Sequence, residues 1–266
     1  MRTFRTLLVG MAGISMMLHA QENAVLAKKL ANPVSPMTTV PLQFNYDRGY
    51  FDTSGNESNQ WLLNVQPIVP FSLNEEWNLI SRTVAPLVRM DNVPLESGVH
   101  YATGDIVQTL FFSPKYPTQS GWVWGVGPVF LLPSGSDIST KSWGGGAAVV
   151  ALKQENQLTY GVHINHVQSF AGSVDVSTTL LQPFFTYTTD DAVSYSLSSD
   201  TTYNWEASAS QRMNAPVIAL VSKVFSVGSQ KISLGAGVKY YFESPDNGPE
   251  GFGARFVMTF LFPKAK

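Results

Sequence analysis

Eight polar side chains stand out in a chain whose segments otherwise alternate between apolar and small or polar residues: Arg82, Asp105, His163, Asn165, Asp200, Lys223, Lys239 and Arg255. Lys223, Lys239 and Arg255 fall on three consecutive predicted strands. Facing a common interior, they would form a basic wall that attracts anionic or polar solutes. Pairing with Asp105 or Asp200 would instead neutralise that wall and leave it as filling. His163 and Asn165 share a strand face, with Ser196 or Ser198 two strands away. A serine, a histidine and an orienting amide or carboxylate are the ingredients of acyl transfer, but they must converge on one point. No motif surrounds this trio, so an enzyme is not expected. The chain has four histidines and no cysteine, which leaves no thiolate metal site and little for a zinc site; no metal or cofactor is expected.

The elements that must position these residues are strands. From about residue 40 the apolar period is two. The pattern predicts twelve strands at roughly 40–48, 60–71, 77–90, 104–114, 121–132, 143–154, 157–169, 177–188, 192–203, 215–226, 229–242 and 251–262. The last is the clearest: Phe252, Ala254, Phe256, Met258, Phe260 and Phe262 form one row, with Arg255, Val257 and Thr259 opposite. Trp122, Trp124, Val126, Pro128, Phe130 and Leu132 likewise alternate with Val123, Gly125, Gly127 and Val129. Bulky rows against small or polar rows are expected where the bulk meets lipid and the other face is crowded or wet. That assignment turns Asn64, Gln66, Asn78, Arg82, Lys153, His163, Asn165, Gln182, Asp200, Lys223, Lys239 and Arg255 inward, because a charge facing lipid costs about 2–4 kcal/mol near the midplane. Asp105 lies on a strand with ambiguous faces and is read as inward.

Connections alternate in length. Arg48 to Asn59, Asp91 to Thr103, Pro133 to Ser142, Ala171 to Val176, Asn204 to Asn214 and Glu243 to Glu250 are long; Ser72 to Glu76, Pro114 to Ser120, Gln154 to Asn156, Thr189 to Asp191 and Val227 to Ser229 are short. An up-and-down barrel in the outer membrane has this segregation, with short periplasmic turns and longer outer loops. Export fits the start of the chain. Arg2 and Arg5 precede an apolar run, Leu7 to Leu18, and Leu18-His19-Ala20 is a plausible cleavage site, with Val25-Leu26-Ala27 a second. Residues 1–20 are therefore read as a signal peptide, 21–38 as a helical plug or tail, and 39–266 as the barrel. Glu22 to Leu30 has helical spacing, and Asn32-Pro33 stops it.

Composition agrees with an all-β, antiparallel transmembrane barrel. Charged residues are 14% and aromatics 12%, with 21 glycines and 16 prolines. The net charge of −2 offers no concentrated basic face, so nucleic acid is not an expected partner. Beyond the start, no apolar run is long enough for a transmembrane helix.

Four segments carry a resemblance: Asn64 to Thr83 (NVQPIVPFSLNEEWNLISRT), Gly104 to Gln108 (GDIVQ), Trp124 to Pro133 (WGVGPVFLLP) and Pro245 to Gly251 (PDNGPEG). Together they resemble the bacterial outer-membrane "transporter" proteins of the MetA phenol-degradation pathway group, often mislabelled neuromedin U. The resemblance runs over nearly the whole chain after the signal. It implies an outer-membrane β-barrel that moves small solutes, apolar or aromatic ones included, and it brings no catalytic residues. The chain departs from many outer-membrane barrels in continuing past Phe262 with Pro263-Lys264-Ala265-Lys266. The expected partners are small solutes and outer-membrane lipid, and the sequence leaves the oligomeric state open. The expected function is passive diffusion through a gated lumen; the alternative is a structural or adhesive barrel acting through its outer loops.

Overall fold

Alternation of period two decides the architecture. In the computed structural model, which describes residues 21–51, 57–91, 99–246 and 248–263, fifteen strand segments form one antiparallel sheet. The segments are β1 (Thr38–Phe51), β2 (Glu57–Val65), β3 (Ile68–Ser72), β4 (Trp77–Asp91), β5 (Val99–Thr103), β6 (Ile106–Pro114), β7 (Trp122–Leu132), β8 (Ser142–Glu155), β9 (Leu158–Gly172), β10 (Ser177–Thr188), β11 (Val193–Ser198), β12 (Thr201–Asn204), β13 (Met213–Val227), β14 (Gln230–Glu243) and β15 (Gly251–Phe262). The sheet closes on itself where β15 pairs β1, from Thr38↔Phe262 to Tyr46↔Ala254. Three staves are each built from two segments, β2 with β3, β5 with β6, and β11 with β12, so the cylinder has twelve staves. The staves coincide with the twelve predicted strands to within a few residues. The predicted signal peptide lies outside the described residues, as does the end of the chain from Lys264.

Prolines account for the breaks. Pro67 lies within the first, at residues 66–67. Pro86 faces the second: Gly104 N donates to its carbonyl at 3.1 Å, but its own nitrogen has no proton to return. Pro183 faces the third in the same way, accepting from Ser199 N at 3.2 Å. Each break carries a polar side chain, namely Gln66, Asp105 or Asp200.

The outer surface is an apolar belt. Phe44, Phe112, Val126, Val149, Ile164, Leu181, Val221, Val238 and Phe256 are all exposed. Aromatics frame it at both rims. Trp77 packs edge-on against Trp124 at 5.7 Å on the short-turn end, and Tyr46 stacks obliquely on Trp61 at 4.7 Å on the loop end. A belt of this kind between two aromatic girdles is the surface a barrel presents to lipid. Among the described residues no helix is long and apolar enough to cross a membrane.

The N-terminal segment enters the short-turn end of the cylinder. It is helical from 21 to 30 and ends in a turn in which Asn32 Oδ1 accepts from Val34 N at 3.0 Å. Leu26, Ala27 and Met37 are buried against Ala192, Val224 and Leu261. Val34 packs on the other side with Ile80, Phe111, Val129, Val150 and Leu152. A Cβ at Gly125 would come within 3.2 Å of Val34 Cγ1, so the bare backbone there makes room for the wedge. Each of the buried side chains Leu26, Val34 and Met37 contributes about 1.5–3 kcal/mol to holding the segment.

Candidate functional site

The interior is crossed at mid-height by a chain of hydrogen bonds whose direction is fixed by its charges. Asp200, delivered inward by the break between β11 and β12, accepts from Arg255 Nη2 at 2.7 Å and from Gln182 Nε2 at 2.8 Å. The amide of Gln182 must then present its oxygen to His163, whose Nδ1 lies 2.7 Å away and carries the proton. At the other end Arg255 Nε donates to Asn45 Oδ1 at 2.7 Å, and Asn45 Nδ2 to Leu62 O at 3.4 Å. The chain therefore spans from β9 to β2 across the barrel seam. Among the described residues His163 Nε2 is left as an acceptor without a partner, its ring held edge-on against Phe111 at 5.6 Å.

Two further groups complete the polar layer. Arg82 Nη2 donates to Gln66 Oε1 at 3.1 Å. Toward the loop end, Lys239 Nζ holds both oxygens of Asp47 at 2.7 and 2.9 Å, with both side chains buried. Tyr241 lies beneath the same ammonium, its ring centroid 4.9 Å away. A fully buried charge is costly unless it is paired and hydrogen-bonded. The two arrangements satisfy that requirement for Lys239 and Arg255.

The polar layer separates two chambers. The loop-side chamber, about 370 Å³, has walls of Val84, Val107, Leu131, Val167, Val176 and Leu180 and a floor of Gln43, Gln66, Arg82, Gln182 and Asp200, with Asn64 and Asn165 at its side. The turn-side chamber, about 260 Å³, is rich in hydroxyls, from Thr186, Ser194, Ser196, Ser198, Ser222, Ser233 and Thr259, and is bounded by Ala27, Leu30 and Ala31 of the N-terminal segment. Gln43 and Gln66 border both, and Arg255 reaches the lower one. A solute moving along the barrel axis would meet an apolar vestibule, a charged constriction, a hydroxylated chamber and then the helix.

The predicted site residues are partly brought together. Arg82, His163, Asn165, Asp200, Lys239 and Arg255 all sit at the lumen. Lys223 does not: it lies outward in the row of Val217 and Val221, paired with Val193 and Leu234, while its neighbours Leu220 and Ser222 line the turn-side chamber. The three-cation wall is thus reduced to Lys239 and Arg255. The cause is that Val224, on the inner row, packs on the N-terminal segment, so both rows of β13 are apolar and the alternation loses its sign. Lys153 is also outward, 5.7 Å above the ring of Trp122 and paired with Glu155 at 3.2 Å. It stands at the short-turn rim, where a long side chain reaches the interface with its charge.

Asp105 serves the loop end. It accepts from Ser139 Oγ, from Thr140 N at 2.9 Å, from Thr140 Oγ1 at 2.6 Å and from Ser134 N at 3.4 Å. That network pins the 133–141 connection, and Thr140 thereby borders the loop-side chamber. The acyl-transfer trio does not assemble, since His163 bonds Gln182 and Ser196 bonds Thr186 at 2.9 Å. Asp47 and Asn45 are not among the residues that the sequence singles out. Their signal is the alternation of Gln43, Asn45 and Asp47 with Phe44 and Tyr46 near the loop end of β1.

A closed antiparallel cylinder with an apolar outer belt, aromatic girdles and a polar interior defines this chain as a bacterial outer-membrane β-barrel. Its fold is shared with an outer membrane channel from Pseudomonas putida F1, at 12% identity over 85% of this chain and 96% of that one, with a TM-score of 0.64. More distant resemblances are to outer membrane phospholipase A from Escherichia coli (10% identity, 84% and 92% coverage, TM-score 0.45) and to a Pseudomonas aeruginosa FadL homologue (8%, 87% and 92%, 0.44). No protein-family model and no curated protein matches the chain.

Proposed function

We propose that this protein is an outer-membrane channel that passes small solutes, apolar and aromatic ones included, by passive diffusion gated by its N-terminal segment. The carrying observation is the stacking of two chambers on one axis with a polar layer between them and the helix beneath. A barrel with only a structural role has no need of interior space on both sides of a paired-charge layer. The resemblance to the MetA-pathway transporter group, and the channel whose fold this chain shares, support the same reading. Residues 21–38 act as the plug, and 39–266 as the barrel. Arg255 with Asp200 and Lys239 with Asp47 set the charge that a solute meets at the constriction.

A second reading is favoured by the tight seating of Val34 and Leu26: a barrel sealed at its short-turn end that works through partner contacts on its long loops, especially Asp91 to Thr103 and Asn204 to Asn214. Uptake of small neutral and aromatic solutes into proteoliposomes separates the two. Entry above the rate of protein-free vesicles is expected. Entry equal to that of protein-free vesicles, for the full chain and for a form lacking residues 21–37 alike, would reject the channel.

A further inference from the structure

Counting the interior charges singles out one cation. Arg255 is paired with Asp200 and Lys239 with Asp47, while Lys231, at the short-turn end, holds Glu22 at 2.9 Å. Among the described residues Arg82 is in no ion pair; its one hydrogen bond goes to the neutral amide of Gln66. Asp200 attracts it from a distance, but the hydrogen bonds of that carboxylate come from Gln182 and Arg255. His163, the other titratable group nearby, faces Gln182 through its protonated nitrogen. The charged layer between the chambers therefore carries one positive charge more than it has partners for, and that charge lies in the floor of the loop-side chamber.

The chamber supplies the rest of a recognition site. Its walls are aliphatic, with Val84, Val107, Leu131, Val167 and Leu180 opposed across about 370 Å³. That volume falls within the range of small-molecule pockets, which pair apolar walls with a few fixed polar groups. A guanidinium in such a place offers parallel N–H donors to one planar anion and gains most from a carboxylate, because the hydrogen bonds are charge-assisted and partly desolvated. A solute with two negative charges would over-neutralise the site, and a cation would meet an unopposed like charge.

We propose that the loop-side chamber is a binding site for small monocarboxylates with an apolar body, such as aromatic or medium-chain acids, and that Arg82 is the residue that selects the carboxylate. This deepens the channel reading by naming the substrate class at its constriction. It also assigns Gln66 a positioning part, since its Oε1 holds the guanidinium at the chamber floor.

Benzoate and benzamide are the matched probes, alike in shape and differing in charge. Binding of each to the full-length, detergent-solubilised protein is measured by saturation-transfer NMR titration, for the wild type, Arg82→Gln and Arg82→Lys. Heat-modifiable migration confirms that each variant is folded. The expected result is that benzoate binds more tightly than benzamide to the wild type, that the ratio falls roughly tenfold or more in Arg82→Gln, and that Arg82→Lys restores part of it. Equal affinity for the two probes in the wild type, no binding of either, or a ratio unchanged by Arg82→Gln would overturn the proposal. Uptake of the same probes into proteoliposomes is scored separately. Binding with the expected ratio but no uptake would leave the anion site standing and reject the channel reading; uptake of both probes with equal binding affinities would do the reverse.

Discussion

Lys239 reaches over Gly253 to hold Asp47. The two residues stand on β14 and β1, with β15 between them, and the ammonium is 2.7 and 2.9 Å from the carboxylate oxygens. Gly253 makes this passage available: a Cβ there would lie 2.6 Å from Asp47 Oδ1 and 2.7 Å from Tyr46 O. The pair thus bridges the seam where the first and last strands meet, and a single missing side chain permits it. Gly253→Val is expected to prevent normal closure, seen as loss of the folded, heat-modifiable band on a gel. A band of wild-type intensity and midpoint would contradict the role given to Gly253.

The ion pair itself is buried, so removing one partner leaves the other unpaired. Lys239→Met should destabilise the folded barrel by about 3–5 kcal/mol. The double variant Lys239→Met, Asp47→Asn should recover much of that loss, because no lone charge remains. Denaturant unfolding in lipid vesicles measures both, and equal losses in the single and double variants would argue against a coupled pair.

The inward face of Arg255 and the outward face of Lys223 predict different effects on ion selectivity. Arg255→Gln removes a cation from the constriction and should shift reversal potentials in a salt gradient toward cations. Lys223→Gln, on the lipid-facing row, should leave them unchanged. A shift with Lys223→Gln equal to that with Arg255→Gln would contradict the assigned faces.

The connection 133–141 depends on one carboxylate. Asp105→Ala removes an acceptor of four hydrogen bonds, from Ser134 N, Ser139 Oγ, Thr140 N and Thr140 Oγ1. Charge-assisted bonds contribute about 1.5–3 kcal/mol each, so amide exchange in that connection should rise at least roughly tenfold. Exchange measured by mass spectrometry tests this, with the barrel strands as internal reference.

The membrane-facing half of this molecule was legible in the sequence because lipid is a uniform solvent. Rows such as Phe252 to Phe262 and Trp122 to Leu132 must be apolar along their whole length, and their alternation gave stave number and direction. The interior has no such uniformity. Where the N-terminal segment packs inside, the inner row of β13 becomes as apolar as the outer one, so alternation alone puts Lys223 on the wrong face. The partners were hidden for another reason. Asp47 and Lys239 are 192 residues apart, and strand alternation assigns each a face without saying which inward residues meet. The breaks at 66–67, 104–105 and 199–200 were marked by Pro67, Pro86 and Pro183, a signal open to reading since a proline on one stave denies its neighbour a donor.

Planar-bilayer conductance of the folded protein tests whether its own N-terminal segment closes the channel proposed above. The full-length chain is expected to be mostly closed with brief openings. A form lacking residues 21–37 should conduct steadily, since the helix and the Val34 wedge no longer occupy the short-turn end. Silence from the shortened form, with its barrel shown to be folded, would rule out a channel closed by this segment.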